Sequence, residues 1–272
     1  MRDAIFVVGT GRTGSSALTR VLGLCGGALP LRTLPANFAN PTGYWEPELS
    51  VALNDRFLEA HGSSWYDETL RLQLGVVEQR EANALVRDAS FLLAVAFESN
   101  GPLVVKDPRI SALLPYWTQA AHRAGLRTTI VHNFRNPADV AASLASREGL
   151  STEHSDALWL KYNLLAERET RAFARVFVSY EELLDDWEGL VERCARELGV
   201  AVSAGEGRRD AVEAFLSAGH RHHGAERADV DDGGGLVPRT YATLREAQRG
   251  NVDAAAFDEL FAAFASVHAG GA

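Results

Sequence analysis

An α/β fold, built on a mostly parallel sheet flanked by helices, is what three features of the sequence predict. Short apolar runs recur along the chain, helix-period segments of about 10–15 residues alternate with them, and a glycine-rich turn joins the first run to the first helix. The 272 residues, 46% hydrophobic and 23% charged, suffice for one full core. A single domain over residues 1–272 is expected, with an insertion at about 28–100.

The opening run, Ala4-Ile5-Phe6-Val7-Val8, is continuously apolar, as a strand buried on both faces requires. After it, Ser15 to Leu24 reads as a helix with Leu18, Val21, Leu22 and Cys25 on one stripe, stopped by Gly26-Gly27. The same grammar returns at Leu103-Val104-Val105, leading into a helix near Ser111 to Ala124, and at Thr128-Thr129-Ile130-Val131, leading into one from Pro137 to Arg147. A fourth run, Val176-Phe177-Val178, precedes a helix from Trp187 to Leu198. The insertion holds two helices, Glu48 to His61 and Val76 to Glu98, and is the expected wall of an acceptor site. His220 to Thr240, with Asp231-Asp232-Gly233-Gly234-Gly235, reads as a mobile loop before two closing helices.

Thirty-six acidic against twenty-seven basic residues give a formal charge of −9, which argues against nucleic acid or an anionic membrane surface as a partner. Any anion must be held by a local site. Cys25 and Cys194 lie in apolar helix-like stretches, so a reduced cytosolic protein without disulfide or metal is the simplest reading. No run of about 18 apolar residues is present, and the amino terminus lacks a signal pattern. A cytoplasmic protein is expected, and the arginine and alanine bias suggests a GC-rich bacterial genome.

Gly9-Thr10-Gly11-Arg12-Thr13-Gly14-Ser15-Ser16 follows a buried strand and precedes a helix, the context that makes a glycine pattern a site hypothesis. Glycines let backbone N–H groups turn inward, the helix start supplies unpaired donors, and Thr13, Ser15 and Ser16 add hydroxyls, so the loop fits an oxyanion. The ordinary P-loop places a lysine where this chain has Ser15; the nearest cation is Arg12, within the loop.

A second anion element follows the third strand. In Arg135-Asn136-Pro137, Asn136 suits an N-cap and Pro137 the first helical position, which sets Arg135 at the sheet's carboxyl edge. Ser143 lies about two turns into that helix, and the two side chains together fit a phosphate. Between the elements comes Lys106-Asp107-Pro108-Arg109. The chain has only two lysines, so Lys106 at a strand end stands out; this group serves either chemistry or a structural ion cluster.

These residues, in this order, resemble the sulfotransferases that use 3′-phosphoadenosine 5′-phosphosulfate, especially carbohydrate-type and bacterial members, over roughly residues 4–200. Arg12-Thr13-Gly14-Ser15-Ser16 is similar to the Arg-Ser-Gly-Ser-Ser of the family's 5′-phosphosulfate loop, and Arg135 with Ser143 to its 3′-phosphate pair. Tyr44-Trp45-Glu46-Pro47 resembles its Glu-Pro element, and Ser179-Tyr180-Glu181-Glu182-Leu183 its Tyr-Glu-x-Leu element. The loop lysine and the late Arg-Lys-Gly segment of cytosolic aryl and steroid members are absent, and Arg221-His222-His223-Gly224 is a candidate stand-in for the latter.

The resemblance implies a P-loop NTPase-like three-layer sandwich and sulfuryl transfer from that donor to a hydroxyl of a carbohydrate or small-molecule natural product, without a metal. It implies that Thr10, Gly11, Arg12, Thr13, Gly14, Ser15, Ser16, Arg135 and Ser143 bind the donor, and that Glu46, with Arg12, Lys106 and Asp107, carries the catalysis. Asp107 and His61 are reserve bases, and Trp45, Trp65, Tyr66 and Trp159 offer flat surfaces for an acceptor. Two rivals stand beside this reading: a P-loop kinase-like phosphotransferase using ATP and magnesium, and a nucleotide-binding protein without catalysis.

Overall fold

Four strands, β1 (Arg2–Val8), β2 (Leu103–Lys106), β3 (Leu126–Phe134) and β4 (Ala174–Ser179), form one all-parallel sheet in the order β2-β1-β3-β4. The computed structural model describes residues 1–37, 40–98, 100–205, 207–219 and 234–270. After β1 come α1 (Ser15–Leu24) and the insertion, with α2 (Glu48–Ala60), α3 (Arg71–Leu74) and α4 (Gln79–Val95). α5 (Ile110–Arg123) follows β2, while α6 (Pro137–Glu148) and α7 (Thr152–Glu169) follow β3. After β4 come α8 (Tyr180–Asp185), α9 (Trp187–Leu198), α10 (Arg209–Gly219), α11 (Leu236–Gln248) and α12 (Ala254–His268).

The period of two along each strand sends alternate side chains to opposite faces. Ile5 and Val7 join Val104, Val131, Val176 and Val178 in one core, covered by α1, α9 and α10. Ala4, Phe6 and Val8 join Leu103, Val105 and Ile130 in a second core under α2, α4 and α5. Phe134 and Phe177 continue that face into a third core with α6, α7, α11 and α12. Helices on both faces make three layers and explain why the strands read as unbroken apolar runs. Cys25 and Cys194 are free and buried in the first core.

From β1 the chain moves to β2 on one side, then crosses to β3 on the other. This reversal opens a crevice at the carboxyl end of β1, and all four carboxyl ends share that edge of the sheet.

The structure departs from expectation in its helices: α3, α8 and α10 are additional to those expected, and three further differences have local causes. α7 was not foreseen: it is buried on nearly all sides, from Ala157 through Glu167, so it shows no one-sided stripe. α4 is shorter than the expected Val76–Glu98, because Val76 is exposed and Phe97 turns away to pair with Pro30. α11 begins at Leu236, so Leu236–Thr240 is helix rather than loop. The rest of that stretch, with Arg221-His222-His223-Gly224, lies outside the described residues apart from Gly234 and Gly235. No helix among the described residues is long and apolar enough to cross a membrane.

β3 carries a fully buried polar residue, His132, whose Nε2 lies 2.9 Å from Asn163 Oδ1. Asn163 Nδ2 donates to Trp159 O at 2.8 Å and Thr10 Oγ1 at 3.2 Å, so its carbonyl faces the ring and His132 holds its proton on Nε2. Among the described residues Nδ1 has no partner. Burial pushes the His132 pKa down from 6.5 to about 4. Between those values the unfolded chain binds the extra proton, so stability is fully present above pH 6.5 and falls as pH drops toward 4. The loss should reach roughly 3 kcal/mol. Denaturant midpoints at pH 7 and 4.5 should show this slope, and His132→Gln should flatten it.

Candidate active site

The turn after β1 owes its shape to glycines and to buried polar anchors. Gly9 has φ 127° and Gly14 has φ 76°, conformations that side-chain-bearing residues avoid. Gly14 caps α1, leaving the amides of Ser15, Ser16 and Ala17 beyond reach of any intrahelical carbonyl. Ser111 on α5 pins the turn at its root: its hydroxyl donates to Gly9 O and accepts from Gly9 N, both at 2.9 Å.

The hydroxyl of Thr13, expected to add to an anion site, turns inward instead, as does that of Thr10, expected among the donor-binding residues. Thr13 Oγ1 lies 2.9 Å from Thr10 O and 2.8 Å from Asn133 Oδ1, and Thr10 Oγ1 donates to Trp159 O at 3.3 Å. Each satisfies a buried polar group, a stronger demand than facing water. Ser15, Ser16, Gly11, Gly14 and Arg12 do line the cleft.

That cleft, about 990 Å³, opens at the shared carboxyl edge. Residues 34–37 and 40–46 and the Trp65-Tyr66 turn, all from the insertion, wall one part; α6 and Tyr180 wall the other. Arg12, Lys106, Arg109, Arg135 and Arg147 line it against Glu46, Asp139 and Glu148, a local cationic excess in a chain of charge −9. Burial, with Arg147 and Arg135 nearby, lowers the Arg12 pKa, so an anion here would relieve a crowded cation.

The two anion elements meet directly. Arg12 Nε donates to Ser143 Oγ at 2.9 Å, joining the glycine turn to α6. Asn136 caps α6, accepting from Ala138 N at 2.9 Å with Pro137 in the first turn, as its sequence predicts. Arg135 lies at the cleft edge, 3.2 Å from Asp139 Oδ2 and stacked over Tyr180 at 4.7 Å.

At the cleft floor, Lys106 Nζ lies 2.5 Å from Glu46 Oε1 and 3.2 Å from Ser16 Oγ. Both side chains are nearly inaccessible, at 4% and 6% exposed. A lysine from the end of β2 thus stands beside the loop whose own lysine position is Ser15. Burial raises the Glu46 pKa, an effect that Lys106 partly offsets. Asp107 does not line the cleft: it accepts from Asn54 Nδ2 at 2.9 Å and Ser50 Oγ at 3.3 Å and holds Arg109 at 3.0 Å. Arg109 is also paired with Asp55 and reaches Glu46 Oε2 at 3.7 Å.

Other expected residues fall elsewhere. His61 lies on a separate surface groove, with Nε2 3.3 Å from Glu81, which removes it as a reserve base. Trp159 is fully buried, its Nε1 donating to Arg135 O at 3.1 Å, and Trp45 packs against the first core; neither offers a surface to the cleft. Trp65 and Tyr66 do line it, and a methyl group at Gly11 would come 3.2 Å from the Trp65 ring.

Sequence reasoning missed a polar chain across the mouth. Arg147 Nη2 donates to Tyr44 Oη at 2.7 Å, its Nε pairs with Glu148 at 2.9 Å, and Tyr66 Oη donates to Glu148 at 2.8 Å. No sequence pattern connects these positions. Among the described residues no three His, Cys, Asp or Glu side chains gather as a metal site.

No family model and no curated protein matches the chain. Among solved structures it is similar to a Mycobacterium tuberculosis sulfotransferase, at 17% identity over 78% of this chain and 71% of that one, with a TM-score of 0.42. It is also similar to the sulfotransferase domain of the Synechococcus olefin synthase, at 17% identity over 100% of this chain and 97% of that one, with a TM-score of 0.45.

The glycine turn yields a stability test. A methyl group at Gly9 would sit 2.1 Å from Asn133 O, whereas one at Gly62, also at positive φ, would meet nothing within 4 Å. Gly9→Ala should cost at least about 3 kcal/mol and Gly62→Ala about 1 kcal/mol, read from denaturant midpoints. Equal costs would remove the close approach of β3 as the reason for glycine at position 9.

Proposed function

We propose that the chain is a sulfotransferase that moves the sulfuryl group of 3′-phosphoadenosine 5′-phosphosulfate to a hydroxyl of a carbohydrate or small-molecule natural product. The observation that carries this reading is the junction of the two anion elements through Arg12 and Ser143 in one cleft, with the buried Glu46–Lys106 pair beside Ser16. Cationic groups on two adjoining elements of one cleft suit a nucleotide with phosphate at both its 3′ and 5′ positions. The donor supplies the sulfuryl group and leaves as the bisphosphate.

In this reading the amides of Ser15 and Ser16, the glycine backbone at Gly11 and Gly14, and Arg12 hold the 5′ end at the start of α1. Thr10 and Thr13 serve by shaping the turn. Arg135 and Ser143 hold the 3′-phosphate. Lys106, placed between Ser16 and Glu46, balances charge developing on the departing phosphate oxygen. Glu46 takes the proton of the acceptor hydroxyl, and its raised pKa makes it a stronger base than an ordinary exposed carboxylate. Asp107 acts through Arg109, keeping that guanidinium near Glu46.

Glu46→Gln should lower kcat by about 10²- to 10⁴-fold while calorimetry shows unchanged affinity for adenosine 3′,5′-bisphosphate. In the unmodified chain, kcat should rise with pH as Glu46 loses its proton, with a midpoint above the ordinary carboxylate range. Arg135→Ala should weaken the bisphosphate by about tenfold or more and leave adenosine 5′-monophosphate nearly unaffected. Equal losses for both nucleotides, or tighter binding of magnesium ATP than of the bisphosphate, would contradict the proposal.

A further inference from the structure

The segment that delivers Glu46 contains an unusual residue. Trp45 has φ 58°, a left-handed conformation that bulky residues rarely adopt. Its indole Nε1 is buried and has no acceptor among the described residues. Core packing alone explains neither feature, since an extended leucine or phenylalanine would fill such a space without them. Strained backbone of this kind persists where the surroundings over-determine it, and it clusters at functional positions.

The neighbours show what the conformation does. Pro47 follows Glu46 and confines that residue to extended backbone. Leu34 N donates to Glu46 O at 3.0 Å, fixing the peptide further. The direction in which Glu46 leaves the chain is therefore set one residue earlier. Trp45 goes one way, against the first core, with the Arg20 guanidinium 4.5 Å from its ring centroid. Glu46 goes into the cleft, onto Lys106, and Tyr44 O accepts from the same ammonium at 3.5 Å.

We propose that Trp45, clamped under Arg20 of α1, is a positioning residue that aims Glu46 at Lys106 and the mouth of the glycine turn. The role in turnover rests on the reading of Glu46 as the base; the geometry does not. α1 thereby contributes twice to the site, through its amides at one end and through the Arg20 clamp one and a half turns on.

Two lysines in the whole chain give a direct readout. Lys106 is 4% exposed under Glu46, and Lys161 on α7 is 1% exposed and serves as a folding control. Acetic anhydride acylation, followed by mass spectrometry of the full chain, should find both protected. Trp45→Gly permits the same φ but removes the clamped ring, and it should speed acylation of Lys106 by about tenfold with Lys161 unchanged. In the same variant kcat should fall about tenfold or more with donor KM within about twofold, and the pH midpoint of kcat should move down as Glu46 meets water. Trp45→Phe should restore protection and rate. If Trp45→Gly exposes Lys161, the chain has opened globally, and Arg20→Met, which keeps the aliphatic stem but removes the stacked cation, decides the matter through the same Lys106 readout.

Unchanged Lys106 acylation in these variants overturns the positioning role, even if the unmodified chain transfers sulfuryl groups. A chain that transfers none, but whose Lys106 protection still follows Trp45, keeps the positioning geometry and removes the functional reading.

Discussion

The buried contact between Lys106 and Glu46 is the constraint around which the cleft is organised. Neither charge would remain so far from water alone, and losing one partner of such a pair typically costs about 3–5 kcal/mol because the other is left uncompensated. Lys106 comes from the end of β2, Glu46 from the insertion, and Ser16, on the same ammonium, from α1. One ion pair therefore fixes the sheet edge, the anion turn and the insertion relative to each other. Asp107 and Arg109 extend it into a charged network whose outer members, Ser50, Asn54 and Asp55, belong to α2.

Around this centre the protein divides its polar groups by task. Ser111, Asn133, Asn163, Thr10 and Thr13 spend their hydrogen bonds on one another and on the backbone beneath the turn, so that the serines of the turn, not its threonines, line the cleft. The cationic side chains stand above them, Lys106, Arg109, Arg135 and Arg147 each against a carboxylate and Arg12 against the Ser143 hydroxyl. A rigid, satisfied underside beneath a row of cationic side chains is what a binding site for a multiply charged anion requires. The half-buried chain from Tyr44 through Arg147 and Glu148 to Tyr66 adds a lighter connection across the mouth.

Much of the framework was legible because its physical signals are local. Strands covered on both faces must be apolar throughout, so β1 and β2 could be read directly, and the glycine turn and the Asn136-Pro137 cap carry their backbone geometry in their residue types. α7 was illegible for the opposite reason: burial on every side erases the stripe that marks a helix. The site was legible only in its parts. Lys106 and Glu46 are 60 residues apart and Arg12 and Ser143 are 131 apart, so their contacts depend on strand order, which composition and periodicity leave open. Thr10 and Thr13 show a finer limit. A hydroxyl in a tight turn faces ligand or scaffold according to which neighbour needs a partner, and Asn133 and Asn163 decide that from other elements. Trp45 reads as a platform because it adjoins Glu46 in a motif with a second aromatic, whereas its left-handed backbone turns it against the first core.

On the proposed reading, one cleft, anchored by the Lys106–Glu46 pair, receives both phosphates of a single adenosine nucleotide. A crystal structure of the complex with adenosine 3′,5′-bisphosphate tests it most directly. One phosphate should lie on the amides of Ser15 and Ser16 within reach of Arg12 and Lys106, and the other on Arg135 and Ser143, with Glu46 still on Lys106. A nucleotide bound with its 3′-phosphate away from Arg135, or a glycine turn left empty while the nucleotide binds elsewhere, would contradict it.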